Sequence, residues 1–315
     1  MARAKISVVG SGFVGATAAQ RLLEGDLGDL VLYDVIEGKP QGIALDLAES
    51  APVQGFSVSA KGTNDPKETY ASDLVLVTAG VPRKPGMSRS DLLEVNGKIV
   101  RDVAGHLREG SRDAIVVVVT NPLDVMTHLM RALTGFPASR VVGMAGVLDA
   151  ARFRSFLAWE IGVSPREVDA MVLGGHGDAM VPLLRYATVN GIGVERLLPK
   201  DRLDRLVQRT RDGGAEIVNL LKTGSAYYAP SAAAVEMIRS ILRDEKRLLP
   251  CCVQLAGQYG IRDLYVGVPA VLGRAGVERV IELDLTAEEK GALQKSAAEI
   301  RKDLDLLREK GLLPR

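Results

Sequence analysis

The run Gly10-Ser11-Gly12-Phe13-Val14-Gly15 constrains this chain more than any other stretch, because it lies between a branched apolar run, Ile6-Ser7-Val8-Val9, and a segment of helical periodicity, Val14 to Leu23. Glycines at this spacing permit a tight turn. They also let backbone amides approach a ligand at the helix N-terminus, where unpaired N–H groups and the helix dipole attract an anion such as a pyrophosphate. Alone the pattern is weak, but Asp34 ends the next apolar run, Leu30-Val31-Leu32-Tyr33, nineteen positions beyond Gly15. An acidic side chain there accepts hydrogen bonds from ribose hydroxyls. It also repels a 2′-phosphate, and Val35-Ile36 supply no arginine to hold one, so NAD is expected over NADP. Gly10, Gly12, Gly15 and Asp34 are the cofactor-binding candidates.

Two further apolar runs, Leu74 to Val77 and Ile115 to Val119, alternate with helical periodicity at Gly42 to Glu49, Asp91 to Leu107 and Asp124 to Leu133. Continuous branched runs separated by helices predict a parallel sheet covered on both faces, in the Rossmann-type doubly wound α/β arrangement. After about Met144 the rhythm changes to longer helices, at Ala150 to Glu160, Leu203 to Leu221, Ser231 to Arg243 and Ala287 to Lys310, mixed with strands such as Val168 to Leu173 and Leu264 to Val268. The expectation is therefore a nucleotide-binding domain over 1–144 and an α+β substrate domain over 145–315. No Ser/Gly-rich linker separates them, so they are expected to pack as one unit.

Composition removes several classes of function. With 40 Lys and Arg against 39 Asp and Glu, the net charge of +1 provides no basic face for nucleic acid or an anionic membrane. Neither partner is expected. No uncharged apolar run approaches the ~20 residues of a membrane helix, and the first strand begins by about Lys5, which points to a cytoplasmic protein. The two cysteines, Cys251 and Cys252, are adjacent, an arrangement that seldom forms a disulfide and provides no four-ligand zinc site. They read as small buried residues, and no metal is expected.

The chemistry-bearing residues lie downstream, in Asn121-Pro122, in Leu148-Asp149-Ala150-Ala151-Arg152 and in Gly174-Gly175-His176-Gly177-Asp178. Imidazole, with an unperturbed pKa of about 6.5, suits general base work near neutrality, and a guanidinium grips a carboxylate with two prongs. Together they suit hydride transfer involving a carboxylate-bearing alcohol. Of the three histidines, His106 and His128 fall in amphipathic helical stretches and read as surface or packing residues, whereas glycines flank His176. The loop Val81 to Arg89 follows the fourth strand and carries arginines near both ends. Loops at the carboxyl ends of parallel strands line the ligand crevice of this architecture.

These motifs resemble the lactate/malate dehydrogenase family over almost the whole chain, through Gly10 to Gly15, Ala79 to Gly86, Asn121-Pro122-Leu123-Asp124, Leu148-Asp149, Gly175-His176-Gly177-Asp178 and Gly224-Ser225-Ala226-Tyr227-Tyr228. The resemblance implies that His176 takes the hydroxyl proton, Asp149 orients its ring, and Arg152 holds the carboxylate beside the reacting carbon. It further implies that Asn121 contacts the nicotinamide side and the substrate oxygen, that Ser225 lines the substrate pocket, that Arg89 polarises the carbonyl and that Arg83 selects the substrate. Asn96 and Thr120 join the expected cofactor-binding set, and the Asn121-Pro122 bond is expected to be cis. Gly175, where many lactate enzymes carry glutamate, and Pro82 both agree with the malate branch. The implied reaction is NAD-dependent interconversion of (S)-malate and oxaloacetate, in a homo-oligomer with a tetramer favoured over a dimer. L-Lactate or another 2-hydroxyacid is the alternative substrate, and a NAD-dependent glycosidase or a binding-only redox sensor are alternatives of other classes.

Overall fold

Leu74–Val77 and Ile115–Val118, two strands of four residues, are buried at every position. Only a sheet covered on both faces allows that, and each such Val or Leu contributes about 1.5–3 kcal/mol relative to exposure. The structure, a computed structural model, describes residues 3–82 and 87–314. In chain order the first half comprises β1 (Lys5–Val9), α1 (Phe13–Glu24), β2 (Asp29–Tyr33), α2 (Lys39–Gln54), β3 (Ala60–Thr63), β4 (Leu74–Val77), α3 (Arg89–Gly110), β5 (Ile115–Val118), α4 (Leu123–Thr134) and β6 (Val141–Gly143). The second comprises α5 (Gly146–Ile161), β7 (Val168–Gly174), β8 (Met180–Val189), β9 (Ile192–Gly193), α6 (Lys200–Leu221), α7 (Tyr228–Leu242), β10 (Arg247–Ala256), β11 (Arg262–Gly273), β12 (Gly276–Val280) and α8 (Ala287–Glu309).

Strands β1 to β6 pair in parallel in the order β3-β2-β1-β4-β5-β6, the doubly wound arrangement expected from the sequence. Strands β3 and β6 were not legible as apolar runs: β3 reads Ala-Lys-Gly-Thr and is largely not buried, and β6 has three residues. The second half is antiparallel, with β10 and β11 paired over most of their lengths and β7 pairing β8. Strands β8, β10 and β12 also went unread. The two cysteines expected only as buried fillers lie on β10, and Cys252 opposite Gly143 makes the one registered pair between β10 and β6.

A single hydrophobic core runs through both halves, joining Val116 and Met126 of the first to Leu148, Cys252, Tyr265 and Leu304 of the second. The expected rigid packing of the halves has this shared core as its basis. A second cluster around Phe153, Leu157, Val168 and Leu203 seats α5 on β7, with α6 packed on α5 and β8. Helix α3 opens with a reciprocal cap between Ser88 and Asp91, and α8 with one between Thr286 and Glu289, so both starts are locally encoded.

Candidate active site

The glycine loop forms because β1 must turn sharply into α1 beneath β4. Gly10 has φ +105°, and a Cβ on Gly15 would stand 1.9 Å from the Gly10 carbonyl oxygen, so a side chain is excluded there. Gly12 is the opposite case: among the described residues a Cβ built on it meets nothing within 4 Å, and no side chain caps the α1 N-terminus. The first-turn amides therefore face open space, the cradle a pyrophosphate fits. Asp34 follows β2 beside this loop. Its Oδ2 accepts from the Ser11 N–H and the Ser11 hydroxyl, both at 2.7 Å, and its Oδ1 accepts from the Ile36 N–H at 3.0 Å. Partial burial pushes the carboxyl up, yet these three donors outweigh it and leave its pKa below the usual aspartate value. Asp34 is thus ionised and aimed at the loop, as a partner for ribose hydroxyls must be.

The second cluster forms where β7 ends. Gly174, with φ +85°, turns the chain out of the strand, and His176 follows with its ring 17% exposed. On α5, Asp149 and Arg152 lie three residues apart and share one helix face. His176 Nδ1 stands 2.9 Å from Asp149 Oδ2, and Arg152 Nη1 stands 3.4 Å from Asp149 Oδ1. Burial works against the charged ring, but the Asp149 carboxylate outweighs it, with Asp124 adding to the pull, so the His176 pKa lies above the ordinary imidazole value. With Nδ1 engaged by Asp149, Nε2 is the nitrogen left for an incoming proton. Arg152 is itself 13% exposed, and its Nε is buried without a hydrogen-bond partner among the described residues. Such an atom is costly unless an anion completes it.

The other expected residues divide into groups. Asn121 is exposed after β5, and its peptide bond to Pro122 is cis, as expected. Asn96, 1% exposed, spends its side chain on the backbone: it bonds both backbone groups of Val81 and donates to the Asn121 carbonyl at 2.7 Å. Thr120 donates its hydroxyl to the Ala79 carbonyl. These two side chains tie together the β4 and β5 exits. Ser225 stands exposed between α6 and α7, and the adjoining Tyr227 stacks on Phe13 of the glycine loop with ring centroids 5.1 Å apart. Arg89, at the start of α3, donates through Nε and Nη2 to Asp303 of α8 at 3.1 and 2.6 Å, away from the His176–Asp149 pair's own bonds. Arg83 lies outside the described residues. Of the remaining histidines, His128 is a packing residue as expected, set edge-on to Tyr265 at 5.8 Å, with burial pushing its pKa down to about 4.

Four residues that contribute to the site were not singled out from sequence. Ser11 braces Asp34, and its place inside the glycine run was the available signal. Gly213 on α6 leaves room for Arg152: a Cβ there would meet Arg152 Cδ at 2.9 Å, and the Gly213-Gly214 pair within a charged helix was the clue. Ser296 accepts from the Gly175 N–H at 2.7 Å, and Asp124 accepts from the His176 N–H at 2.9 Å. Ser296 is 121 positions from its partner and left no local trace.

Two family models match the chain: the lactate/malate dehydrogenase NAD binding domain over residues 4–143 and the lactate/malate dehydrogenase alpha/beta C-terminal domain over residues 146–310. A malate dehydrogenase of Roseiflexus castenholzii is 54% identical over 307 residues, covering 98% of this chain and 99% of the relative. Among solved structures, the apo malate dehydrogenase of Picrophilus torridus superposes with a TM-score of 0.95 at 43% identity, covering 98% of both chains. A Cryptosporidium parvum lactate dehydrogenase complexed with lactic acid and β-nicotinamide adenine dinucleotide gives a TM-score of 0.95 at 40% identity, covering 98% of this chain and 99% of that one.

Proposed function

Because the chain belongs to the lactate/malate dehydrogenase family, we propose that it catalyses the reversible NAD-dependent oxidation of (S)-malate to oxaloacetate. NAD, when bound, supplies the acceptor for the hydride leaving C2. The glycine loop would hold its pyrophosphate through the α1 amides, and Asp34 would hold the adenosine ribose. His176 Nε2 takes the hydroxyl proton while Asp149 fixes the tautomer at Nδ1 and stabilises the imidazolium that forms. In the reverse direction the protonated ring is the acid. Arg152 grips the carboxylate next to C2, Asn121 contacts the nicotinamide side and the substrate oxygen, and Ser225 lines the substrate pocket. Arg89 takes the role that the resemblance gives it by exchanging Asp303 for the substrate oxygen, an exchange helped by the 61% exposure of its side chain in the present pair. Arg83, outside the described residues, remains the candidate for the second carboxylate of malate.

One observation carries this reading: a buried guanidinium nitrogen of Arg152 has no partner among the described residues and stands beside a histidine whose proton affinity is raised by the same aspartate that Arg152 touches. That arrangement binds an anion next to a base. The proposed division is a cofactor-binding part, 1–144, and a substrate part, 145–315, a reading supported by family matches over 4–143 and 146–310. A homo-oligomer, with a tetramer favoured, accords with apolar side chains left exposed on α5 and α6, where Trp159 is 64% and Leu220 75% exposed. Among the described residues no helix is long and apolar enough to cross a membrane, and a cytoplasmic location is the proposed one.

The test is a set of initial rates with NADH or NADPH and oxaloacetate or pyruvate. NADH with oxaloacetate is expected to be fastest. Faster turnover of pyruvate would transfer the assignment to a lactate dehydrogenase, and no turnover in any combination would leave a binding-only protein.

A further inference from the structure

His176 is approached by two carboxylates, and the reading above uses one of them. The second is Asp124, in the first turn of α4, 5% exposed and two residues beyond the cis Pro122. Its Oδ2 accepts from the backbone N–H of His176 at 2.9 Å and the Cys252 thiol is a weak second donor to the carboxyl, while Oδ1 is buried with no geometrically formed hydrogen bond among the described residues. An amide or a hydroxyl would accept that N–H at far less desolvation cost than a carboxylate. A buried carboxylate held by one N–H and a weak thiol donor is the expensive choice unless its charge is used, and the neighbouring group that changes charge is the His176 ring.

We propose that Asp124 is a positioning residue for His176, one whose carboxylate anchors the backbone of the catalytic loop from α4 and whose negative charge stabilises the imidazolium alongside Asp149. This rests on the assignment of His176 as the base. The groups facing the ring are Asp149 and Arg152 from α5 and Asp124 from α4; from α8 the neutral Ser296 holds the adjoining Gly175 amide. Asp124 itself faces His176 and the buried thiol of Cys252 on β10. Burial dominates and leaves the Asp124 carboxyl above the ordinary aspartate value, while the His176 amide, a hydrogen bond from the Cys252 thiol and the His176 charge pull against it. Protonation of the ring and ionisation of Asp124 therefore support each other, so the proton released by malate lands where two carboxylates share the resulting charge. Ser296 provides the control, because it clamps the same loop one residue earlier with no charge.

The experiment compares Asp124→Asn and Ser296→Ala with the parent by the pH profile of kcat/KM for malate and by NMR titration of the histidine ring signals. The chain has three histidines, and His128 is set apart by its low pKa. Asp124→Asn keeps an oxygen for the His176 amide and removes the charge. It is expected to lower the His176 midpoint by about 0.5 to 1 pH unit in both measurements, within the range for losing a nearby opposite charge. Ser296→Ala is expected to reduce kcat with the midpoint unmoved. If Asp124→Asn also leaves the ring midpoint where it was, Asp124 is only a structural clamp and the proposal fails. If the ring midpoint drops while the rate profile stays, the coupling holds and His176 is not the base, so the two readings fail separately. Should Asp124→Asn not fold, Asp124→Ser is at home in a first helical turn, retains an oxygen acceptor and is judged by the same midpoint.

Discussion

The nucleotide loop and the His176 cluster solve the problem of holding an anion in opposite ways. At the loop the binding groups are main-chain amides, the side chains that matter are absent ones, and the single carboxylate, Asp34, is satisfied by three donors. At the cluster every working group is a side chain, two carboxylates and a guanidinium are nearly buried around one imidazole, and Arg152 Nε and Asp124 Oδ1 lack hydrogen-bond partners among the described residues. The loop leaves main-chain donors open with its one carboxylate already satisfied, whereas the cluster leaves buried side-chain atoms for ligand and proton to complete. Substitutions in the cluster should therefore damage turnover with the fold kept. Substitutions in the loop should damage binding and stability together.

The largest effect is expected from His176→Asn, a loss on the order of 10² to 10⁴-fold in kcat with NAD affinity retained, since a general base is removed and the loop is untouched. Steady-state rates and a direct NAD titration check this, and near-normal turnover would place the base elsewhere. The same residue sets the sign of the pH dependence. Its pKa is raised, and malate oxidation needs the neutral ring, so kcat/KM for malate should fall as pH drops through a midpoint above the ordinary imidazole value, while oxaloacetate reduction falls as pH rises through it.

Next in size is Arg83→Gln, which deletes the proposed partner of the second carboxylate. Oxaloacetate should lose roughly 3 to 5 kcal/mol of transition-state stabilisation, the scale for breaking a buried ion pair, and pyruvate should gain. Lys84→Gln is the companion measurement, and a larger fall in the oxaloacetate over pyruvate preference from that variant would reassign the role. On the loop side, Gly15→Ala forces a methyl against the Gly10 carbonyl and should cost about 1 to 3 kcal/mol of stability, with weaker NAD binding in the same variant. A lowered melting temperature with unchanged NAD affinity would show that loop geometry and binding are separable. The smallest change expected is from Asp34→Ser combined with Val35→Arg, which should move preference toward NADP by about tenfold, the scale of exchanging one charge-assisted hydrogen bond. An unchanged preference would mean that another residue reads the ribose.

The parallel half was legible because its signals are local. A glycine that must lack a Cβ, a branched run buried on both faces and an aspartate closing a strand are each properties of consecutive residues, and β1, β2, β4 and β5 fall where those runs lie. The antiparallel half was read less completely. Strand β8, Met-Val-Pro-Leu-Leu-Arg-Tyr-Ala-Thr-Val, carries a proline and an arginine that break the apolar pattern, and β10 hides two cysteines and a proline in its middle. Their partners across the sheet, and not their own composition, make them strands.

The same division holds inside the site. The amino-acid order alone determined which groups are available: a glycine loop opening a helix, a carboxylate at the end of the next strand, one histidine among glycines, and an aspartate and an arginine three residues apart on a helix face, because each depends on spacing within one element. Only the tertiary structure decided what those groups do to one another. His176 meets Asp149 across 27 positions, Asp124 across 52, and its loop meets Ser296 across 121. Arg89 found Asp303 across 214. Electrostatic coupling depends on distance and burial in space, which no window of sequence contains, and so the raised proton affinity of His176, the orphaned atoms around it and the second carboxylate at its backbone all come from the packing of α4, α5 and α8 around the end of β7.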